Sequence, residues 1–578
     1  MERRLLLAIA LMVGVLILSN VFFPPIERPL EPVSSDSVEA LGTTDAADEP
    51  SGLSAEERAA QEVAEVLAEA EELPAVVEEA EDIPPVAGES SIVTVRSEMY
   101  EYRFDTRGAR LVGATMLAYE NFAEGGHGGV NVELVRPDDS ILTYALTLRG
   151  DTVPLASIPF TPSAPMLEVR DGPAELRFEA ALGEATRGEV TFDVTYRFHP
   201  DDYGIDVSGG LRGLGDVGHV VLVGLGRGIE RNEAVPREDR TAMALVTRSR
   251  SGQISAERLE RVDDGETTPV AGAPFSWVAS KSKYWLTAVV TPPEGPGIGG
   301  VVLRGVPEEE AAEMQAALPV PAGTAGFEYT AYIGPQDFAR LQAVGQELHN
   351  VNPYGWSWLR WFIRPFGNLI VAVLIWMHES FAMAYGWVLI LFGVASRIIL
   401  APLFQISGRA QMKQMALQPE IKKLQERYKG DQQRLQQEQM KLFREHGVNP
   451  LGGCLPMFLP LPILITLFFV FQNTIEFRGV PFMWLPDLSL RDPFFIVPVL
   501  MGGSMLGLNW ITQRGIQSNA QMKMFSYALP VVFTFFFANF AAGLNLYYTA
   551  SNIMSLPQQL YLSRERRKAR PPPSRKKE

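Results

Sequence analysis

Residues 385–404 read YGWVLILFGVASRIILAPLF, and Arg397 is the single charged side chain among them. A helix needs about 20 predominantly apolar residues to cross the hydrocarbon core of a bilayer, and this stretch has that length. Four more apolar runs follow, at residues 455–471, 493–510, 525–542 and 544–562. With the first span assigned to residues 384–404, the last third of the chain predicts a core of five transmembrane helices.

The N-terminus supplies a sixth apolar run. Arg3 and Arg4 precede apolar residues 5–23, and this run ends without the small-residue pattern of a signal-peptide cleavage site. We therefore expect residues 1–23 to form an uncleaved transmembrane anchor. Residues 24–90 are rich in Pro, Glu, Ala and Ser, and they supply most of the net charge of −17. Such a segment buries too little apolar surface to fold, so we predict a disordered acidic periplasmic tether.

Residues 91–350 have the sequence pattern of a β domain. Val190, Phe192, Val194, Tyr196 and Phe198 alternate with polar residues, which is the period of a half-buried strand. Further short strands are predicted at residues 93–104, 174–181, 220–225, 285–291 and 301–303. We expect an all-β sandwich of two sheets, closed by a helix at residues 337–349.

The segment between the β domain and the five-helix core is apolar but short. Residues 365–377 are too few to span a bilayer. Trp356, Trp358 and Trp361 lie just upstream, and tryptophan prefers the membrane interface. We therefore expect residues 354–380 to form an amphipathic helix on the outer membrane surface.

Basic residues predict how the spans are oriented. Residues 405–446 contain nine Lys or Arg against five Asp or Glu, and the tail at 563–578 is also strongly basic. Under the positive-inside rule both segments face the cytoplasm. Six spans satisfy this rule and place both termini inside. The sequence thus predicts a polytopic α-helical membrane protein, one N-terminal anchor plus a five-helix core, with a large periplasmic all-β sandwich domain.

Common enzyme signatures are absent from the sequence. It contains no Walker A motif, no G-x-S-x-G nucleophile elbow and no His/Cys cluster with metal-ligand spacing. The single cysteine, Cys454, cannot form an internal disulfide, and we interpret it as a small buried apolar residue. We predict no catalytic residue, no cofactor and no metal site.

Arg397 is the charge that needs an explanation, because a charged side chain inside a span is costly. Two interpretations stay open. Its long side chain could snorkel towards the cytoplasmic end of the helix, or it could lie in a buried polar cavity. Arginine does not lose its proton when it is desolvated, so a cavity that holds it would attract carboxylates.

The last span is unusually polar for a transmembrane helix. Its polar side chains include Asn545, Thr549, Ser551 and Asn552. These groups could hydrogen-bond between the helices of a bundle, or together they could line a wet inner face.

Residues 405–447 separate the first two core spans and contain a helical pattern. Leu417, Ile421, Leu424 and Tyr428 form an apolar stripe with helical spacing, and Gly430 lies in the turn that follows. A solvated loop already explains the charges of this segment. The apolar stripe is what favours an ordered hairpin of two paired helices.

Three motifs of the membrane part resemble the YidC/Oxa/Alb insertases. They are NPLGGCLP at 449–456 after the basic hairpin, Arg397 followed by Pro402, and the Leu-Tyr-Tyr of 546–548 with Ser551 and Asn552. The resemblance covers about 354–563, and a large β domain after the first anchor resembles the bacterial form. The chain departs from relatives at Gly393, where they can carry a hydroxyl, and at Ala-Ala-Gly 541–543, where they can have Pro-Ser-Gly.

This resemblance implies a hydrophilic groove in the inner leaflet, open to cytoplasm and lipid. Arg397 would face Tyr548, and the groove would be lined by Ser396, Asn545, Thr549, Ser551 and Asn552. The implied function is insertion and folding of nascent membrane proteins in a Gram-negative inner membrane. The implied partners are these substrates, membrane lipids, the Sec translocon and the ribosome, and not DNA.

Two other functions would fit a multi-spanning chain with a large extracytoplasmic domain. A solute transporter would show internal repeats and spans broken near the midplane, and the sequence shows neither. A membrane-anchored periplasmic ligand-binding protein would need one span rather than six.

Overall fold

The computed structural model describes residues 90–123, 129–148, 151–183, 190–213, 215, 217–307, 311–324, 326–352, 360–405, 417–447, 461–513 and 520–568. Several predictions concern residues outside these ranges. They are the anchor at 1–23, the tether up to residue 89, Trp356, Trp358, the NPLGGCLP motif with Cys454, and the tail beyond residue 568.

The described part of residues 90–335 is built almost entirely from β strands. The strands are β1 (Ile92–Arg96), β2 (Tyr100–Asp105), β3 (Arg110–Glu120), β4 (Asn131–Glu133), β5 (Thr143–Leu148), β6 (Asp151–Pro154), β7 (Thr161–Pro162), β8 (Met166–Glu168), β9 (Ala174–Ala181), β10 (Thr191–Phe198), β11 (Gly204–Arg212), β12 (His219–Gly226), β13 (Ala244–Ser249), β14 (Ile254–Arg258), β15 (Thr267–Pro269), β16 (Phe275–Lys281), β17 (Trp285–Val290), β18 (Gly300–Val306), β19 (Ala311–Val320) and β20 (Phe327–Pro335).

These strands form three sheets, so the prediction of a two-sheet sandwich needs correction. The sheets have the strand orders β4-β3-β2-β1-β8, β14-β13-β16-β17-β20-β11-β10-β9-β7 and β15-β18-β19-β12-β5-β6. All three contribute to one apolar core. Tyr144 of the third sheet, for example, forms hydrogen bonds with the hydroxyls of Tyr196 and Tyr329 in the second, at 2.9 and 2.8 Å.

The alternation predicted for residues 190–198 is confirmed in β10, where Phe192, Val194, Tyr196 and Phe198 are all completely buried. The predicted strand at 93–104 is instead the hairpin of β1 and β2. Ser97 reverses the chain there, because its Oγ accepts hydrogen bonds from the N–H groups two and three residues later.

Short helices accompany the β domain, and longer helices follow it. They are α1 (Pro236–Ala242), α2 (Phe338–Val344), α3 (Arg360–Phe381), α4 (Tyr385–Ile399), α5 (Gln418–Arg427), α6 (Gln432–Glu445), α7 (Leu461–Asn473), α8 (Ile496–Gln513), α9 (Ala520–Phe537) and α10 (Ala542–Lys568). The helix predicted at 337–349 is shorter than expected, because Gly345 adopts a φ of 90° and ends α2.

Helix α3 presents apolar side chains on two sides. Ile370, Val371 and Leu374 are buried in the core formed with α4, α7 and α10. Leu369 and Trp376 are more than half exposed. No helix in the described ranges is by itself both long and apolar enough to span a membrane. The pair Pro365–Phe381 and Tyr385–Ile399 reaches that composition together, but it bends by 118°.

Candidate functional site

Arg397 lies in the last turn of α4, which packs along α10. Gly393, one turn earlier, allows the two helices to approach closely. A Cβ at this position would lie 2.9 Å from the carbonyl oxygen of Tyr547 and 3.4 Å from the amide nitrogen of Ser551. The glycine that stands where relatives can have a hydroxyl therefore serves close helix packing here.

The guanidinium of Arg397 lies over an aromatic ring. Its Cζ is 3.8 Å from the ring centroid of Phe404, which is two helical turns further along the chain. Its Nε is buried and has no hydrogen-bond partner in the part of the chain that the structure describes. No carboxylate among the described residues is within 4.0 Å of it. The site thus holds a cation with an aromatic neighbour and, among the described residues, no counter-ion.

The two tyrosines of α10 have different environments. The side chain of Tyr547 is buried against Phe392 of α4, with ring centroids 5.7 Å apart. Tyr548 is partly exposed and stacks on Phe537 at 6.2 Å. Of the two, Tyr548 is the one whose surface is accessible beside Arg397.

Asn545 is completely buried where α9 turns into α10. Its side-chain amide donates to the carbonyl oxygen of Phe537 at 2.9 Å, and also to those of Phe540 and Ala541 at 3.4 Å. Phe537 is the last residue of α9, and Phe540 and Ala541 lie in the turn that joins it to α10. The contacts of Asn545 therefore stabilise the turn between the helices.

The other predicted groove residues are buried, and their hydrogen bonds lie within their own helix or reach a neighbouring one. Thr549 Oγ1 donates to the carbonyl oxygen of Asn545 at 2.7 Å, and Ser396 Oγ donates to that of Gly393 at 3.0 Å. Asn552 donates to Ser504 Oγ of α8 at 3.1 Å. Ser551 is 9% exposed. The structure therefore brings the predicted residues of α4 and α10 together, and most of their polar groups already have partners.

The two helices of the predicted hairpin are α5 and α6. Gly430 lies in the connecting turn with a φ of 112°, and Asp431 caps α6 by accepting from the N–H of Arg434 at 3.0 Å. Leu417 is buried, whereas Ile421, Leu424 and Tyr428 are half-buried.

Three residues of the site lie outside the groove residues that the sequence predicted. Phe404 supports the guanidinium of Arg397, Ser504 is the partner of Asn552, and Gln558 donates to the carbonyl oxygen of Ala401 at 3.1 Å. The spacing of seven residues between Arg397 and Phe404 would have indicated the first contact, because residues seven apart lie on one helix face. The other two join different helices, and no local pattern predicts them.

Two family models match this chain, one for each part. The model described as 60Kd inner membrane protein matches residues 376–569, and the model described as YidC periplasmic domain matches residues 92–369. A protein from Pelodictyon phaeoclathratiforme, named Membrane protein insertase YidC, is 32% identical over 65% of this chain and 67% of its own length. The chain belongs to the YidC family.

Another YidC relative extends the match to almost the full length. The Membrane protein insertase YidC of Syntrophus aciditrophicus is 28% identical over 98% of this chain and 100% of its own. That of Chlorobium limicola is 33% identical over 65% of this chain and 66% of its own. This YidC-family chain is a helical inner-membrane protein with a periplasmic β domain, and the first matched region ends and the second begins within α3.

Proposed function

We propose that this chain is a membrane protein insertase that acts through a hydrophilic intramembrane groove beside Arg397. The observation that carries the proposal is the environment of the Arg397 side chain. Arg397 belongs to α4, which packs along α10, and its guanidinium lies over an aromatic ring without a carboxylate partner in the described residues. A permanently charged group with no counter-ion of its own is suited to bind the carboxylates of a passing chain.

The residues of the site divide into two roles. Arg397 and Tyr548 contact the substrate, and Ser396, Ser551 and Asn552 form the adjoining walls. Asn545 and Thr549 support the turn and the backbone of α10, because their side chains are already bonded there. This division refines the groove that the family resemblance implies.

The mechanism is physical and forms no covalent bond. A polar segment of the substrate enters the groove from the cytoplasm, and the groove shortens the apolar distance that this segment must cross. Each unsatisfied polar group in hydrocarbon costs several kcal/mol, so a shorter apolar path lowers the barrier. The membrane potential assists acidic segments, by about 2.3 kcal/mol per charge for each 100 mV.

The topology and the partners belong to the same proposal. Six spans place both termini, the hairpin of α5 and α6 and the basic tail in the cytoplasm, where they meet substrates, the ribosome and anionic lipid. α3 lies along the outer surface, and the Sec translocon is a lateral partner. Labelling of single cysteines in a chain without Cys454 tests this topology. Periplasmic labelling of Gly430→Cys would contradict it.

The test of function uses matched substrates whose translocated tails differ only in charge. Arg397→Ala should slow insertion of the acidic-tailed substrate about tenfold or more and affect the neutral one least, because one ion pair is lost. Arg397→Lys should keep most activity, since a hydrated lysine stays charged.

Arg170 provides a matched control, because its side chain is 71% exposed on the β domain. Arg170→Ala removes the same charge and should leave both substrates unaffected. If Arg397→Ala impairs acidic and neutral tails equally at matched protein levels, the electrostatic role is wrong.

A further inference from the structure

A buried ion pair joins the β domain to the loop between α7 and α8. Arg478 lies just after the 3₁₀ turn Ile475–Phe477, and its Nε is 2.9 and 3.0 Å from the two carboxylate oxygens of Glu233. The side chains are only 3% and 7% exposed. The residues are 245 positions apart, one in each matched region.

Several groups of the β domain surround the guanidinium of Arg478. A terminal nitrogen of the guanidinium donates to the carbonyl oxygens of Glu120 and Asn232, at 2.9 and 3.2 Å. Its Cζ lies 4.3 Å from the ring centroid of Phe122 and 5.3 Å from that of Trp285. The five residues Glu120, Phe122, Asn232, Glu233 and Trp285 form what we term the arginine socket.

The arginine socket matches the chemistry of a guanidinium rather than of any cation. It offers two carboxylate oxygens, two carbonyl oxygens and two aromatic rings, and Trp285 Nε1 holds Glu233 from the other side at 3.0 Å. A planar fork of donors satisfies these groups simultaneously. A lysine has a compact charge and cannot contact all of them.

The loop also connects the two apolar cores of the chain. Ile475 is buried in the core of the β domain, whereas Phe477, two residues later, is buried among the core helices. Further along the loop, the carbonyl oxygens of Leu488 and Leu490 accept from the N–H groups of Gly543 and Ala542, at 2.9 and 2.7 Å. These are the first residues of α10.

We propose that the arginine socket is the docking surface by which the β domain holds the loop at residues 475–492 over the outer end of α10. A buried ion pair contributes little net stability but tolerates few alternative geometries, so it is suited to fixing an orientation. The partner of this surface is the chain's own extracytoplasmic loop. The inference does not depend on the insertase activity.

Hydrogen–deuterium exchange of the full chain in nanodiscs tests the docking. Glu233→Gln keeps the shape of the side chain and removes its charge, and Arg478→Lys keeps the charge and removes the fork. In each variant we expect the amides of Leu488 and Gly543 to exchange at least tenfold faster. The double variant should add little to either single one, because both break the same contact.

The exposed pair of Arg170 and Glu168 is the matched control. Their charged atoms are 2.8 Å apart, but the side chains are 71% and 51% exposed. Arg170→Lys and Glu168→Gln should leave loop exchange unchanged. Unchanged loop exchange in Glu233→Gln and Arg478→Lys would overturn the proposal. Equal loss of protection in β10 and β11 would overturn it too, since Glu233 would then serve the fold of the β domain.

Discussion

At the scale of single residues, Arg397 shows how neighbours determine what a charge can do. Snorkelling and a polar cavity were both open from the sequence. In the structure the guanidinium lies over the ring of Phe404, seven residues further along the chain, while its Nε stays buried. The aromatic ring restricts where the guanidinium lies without neutralising its charge.

Phe404 is therefore expected to position Arg397. Phe404→Leu should weaken insertion of acidic-tailed substrates by about fivefold, because a cation–π contact contributes on the order of 1 kcal/mol. Phe404→Trp should preserve the preference for acidic tails. The measurement is insertion of substrates matched except for tail charge.

The control for this variant is Phe535→Leu, since the side chain of Phe535 is 74% exposed on α9. Loss of a phenylalanine there should affect acidic and neutral tails alike. Equal behaviour of Phe404→Leu and Phe535→Leu would show that Phe404 has no positioning role.

Glu476 is a second residue whose neighbours change its chemistry. Its carboxylate lies beside the start of α2, where Oε1 accepts from the N–H of Phe338 at 3.4 Å and Oε2 has no partner in the described residues. Burial raises the pKa of Glu476 from about 4.5 to about 7, and the nearby charge of Asp337 acts in the same direction. The folded chain therefore favours the protonated form.

A raised carboxyl pKa makes folding stability depend on pH in a defined window. Protonation of Glu476 stabilises the fold fully below the unfolded pKa, and this contribution is lost as the pH rises from about 4.5 through about 7. Between pH 5 and pH 8, wild type should lose on the order of 2 kcal/mol relative to Glu476→Gln. Denaturant unfolding of both proteins across this range measures the difference. Parallel curves would contradict the expectation.

At the scale of elements, the contact of α4 with α10 depends on a residue without a side chain. Gly393 brings the backbones together, and the neighbouring polar groups are bonded within or between helices. Short polar and small residues commonly hold membrane helices together in this way. The polar side chains predicted on α10 therefore help to hold the helices together, in addition to any role in the groove.

Gly393→Ala should separate these two helices slightly. The new Cβ would lie 2.9 Å from the carbonyl oxygen of Tyr547, and overpacking of this kind costs about 1–3 kcal/mol. We expect a lower thermal unfolding midpoint in detergent. Gly503→Ala on α8 is the control, because its Cβ would meet no atom within 4 Å. A midpoint for Gly393→Ala as high as that control would mean that the contact is not tight.

At the scale of the whole molecule, the β domain and the helices are not independent units. The arginine socket and the contact of Glu476 with α2 both join them outside the spans. The resemblance to the YidC/Oxa/Alb insertases lies in the membrane part, at about 354–563, so we expect that insertion does not require the β domain. The arginine socket would then affect how well the loop at residues 475–492 is ordered, and not the transfer of the substrate into the membrane.

We predict that deletion of residues 92–335 leaves insertion largely intact when residues 336–380 are kept. The deletion ends after β20, because β20 lies between β17 and β11 and would lose both neighbours if it were left behind. Arg478→Gln should speed loop exchange in the full chain but have no effect in the deleted one, where the socket is absent. Cell viability and insertion assays test whether the deleted protein still inserts substrates. Hydrogen–deuterium exchange tests the effect of Arg478→Gln on the loop. Loss of viability with a stably produced deleted protein would refute the first.

Much of this architecture was predictable because its signals are local. Apolar runs predicted the helical membrane part, and alternation predicted strands such as β9 and β10, since each pattern repeats within a single element. The turn at Gly430 and the isolated charge of Arg397 are also visible in a few neighbouring residues. The division of 93–104 into two strands was missed, because the Ser97 turn has no glycine or proline to mark it.

By itself, the sequence determined which segments form strands or apolar helices and where a committed positive charge lies among them. Only the tertiary structure decided that the strands form three sheets, that Asn545 stabilises the turn after α9, and that Arg478 pairs with Glu233, 245 positions earlier in the chain. The physical reason is that periodicity reports which face of an element is buried, but not what that face meets. The partners of buried polar groups depend on distances between elements, and these exist only once the chain has folded.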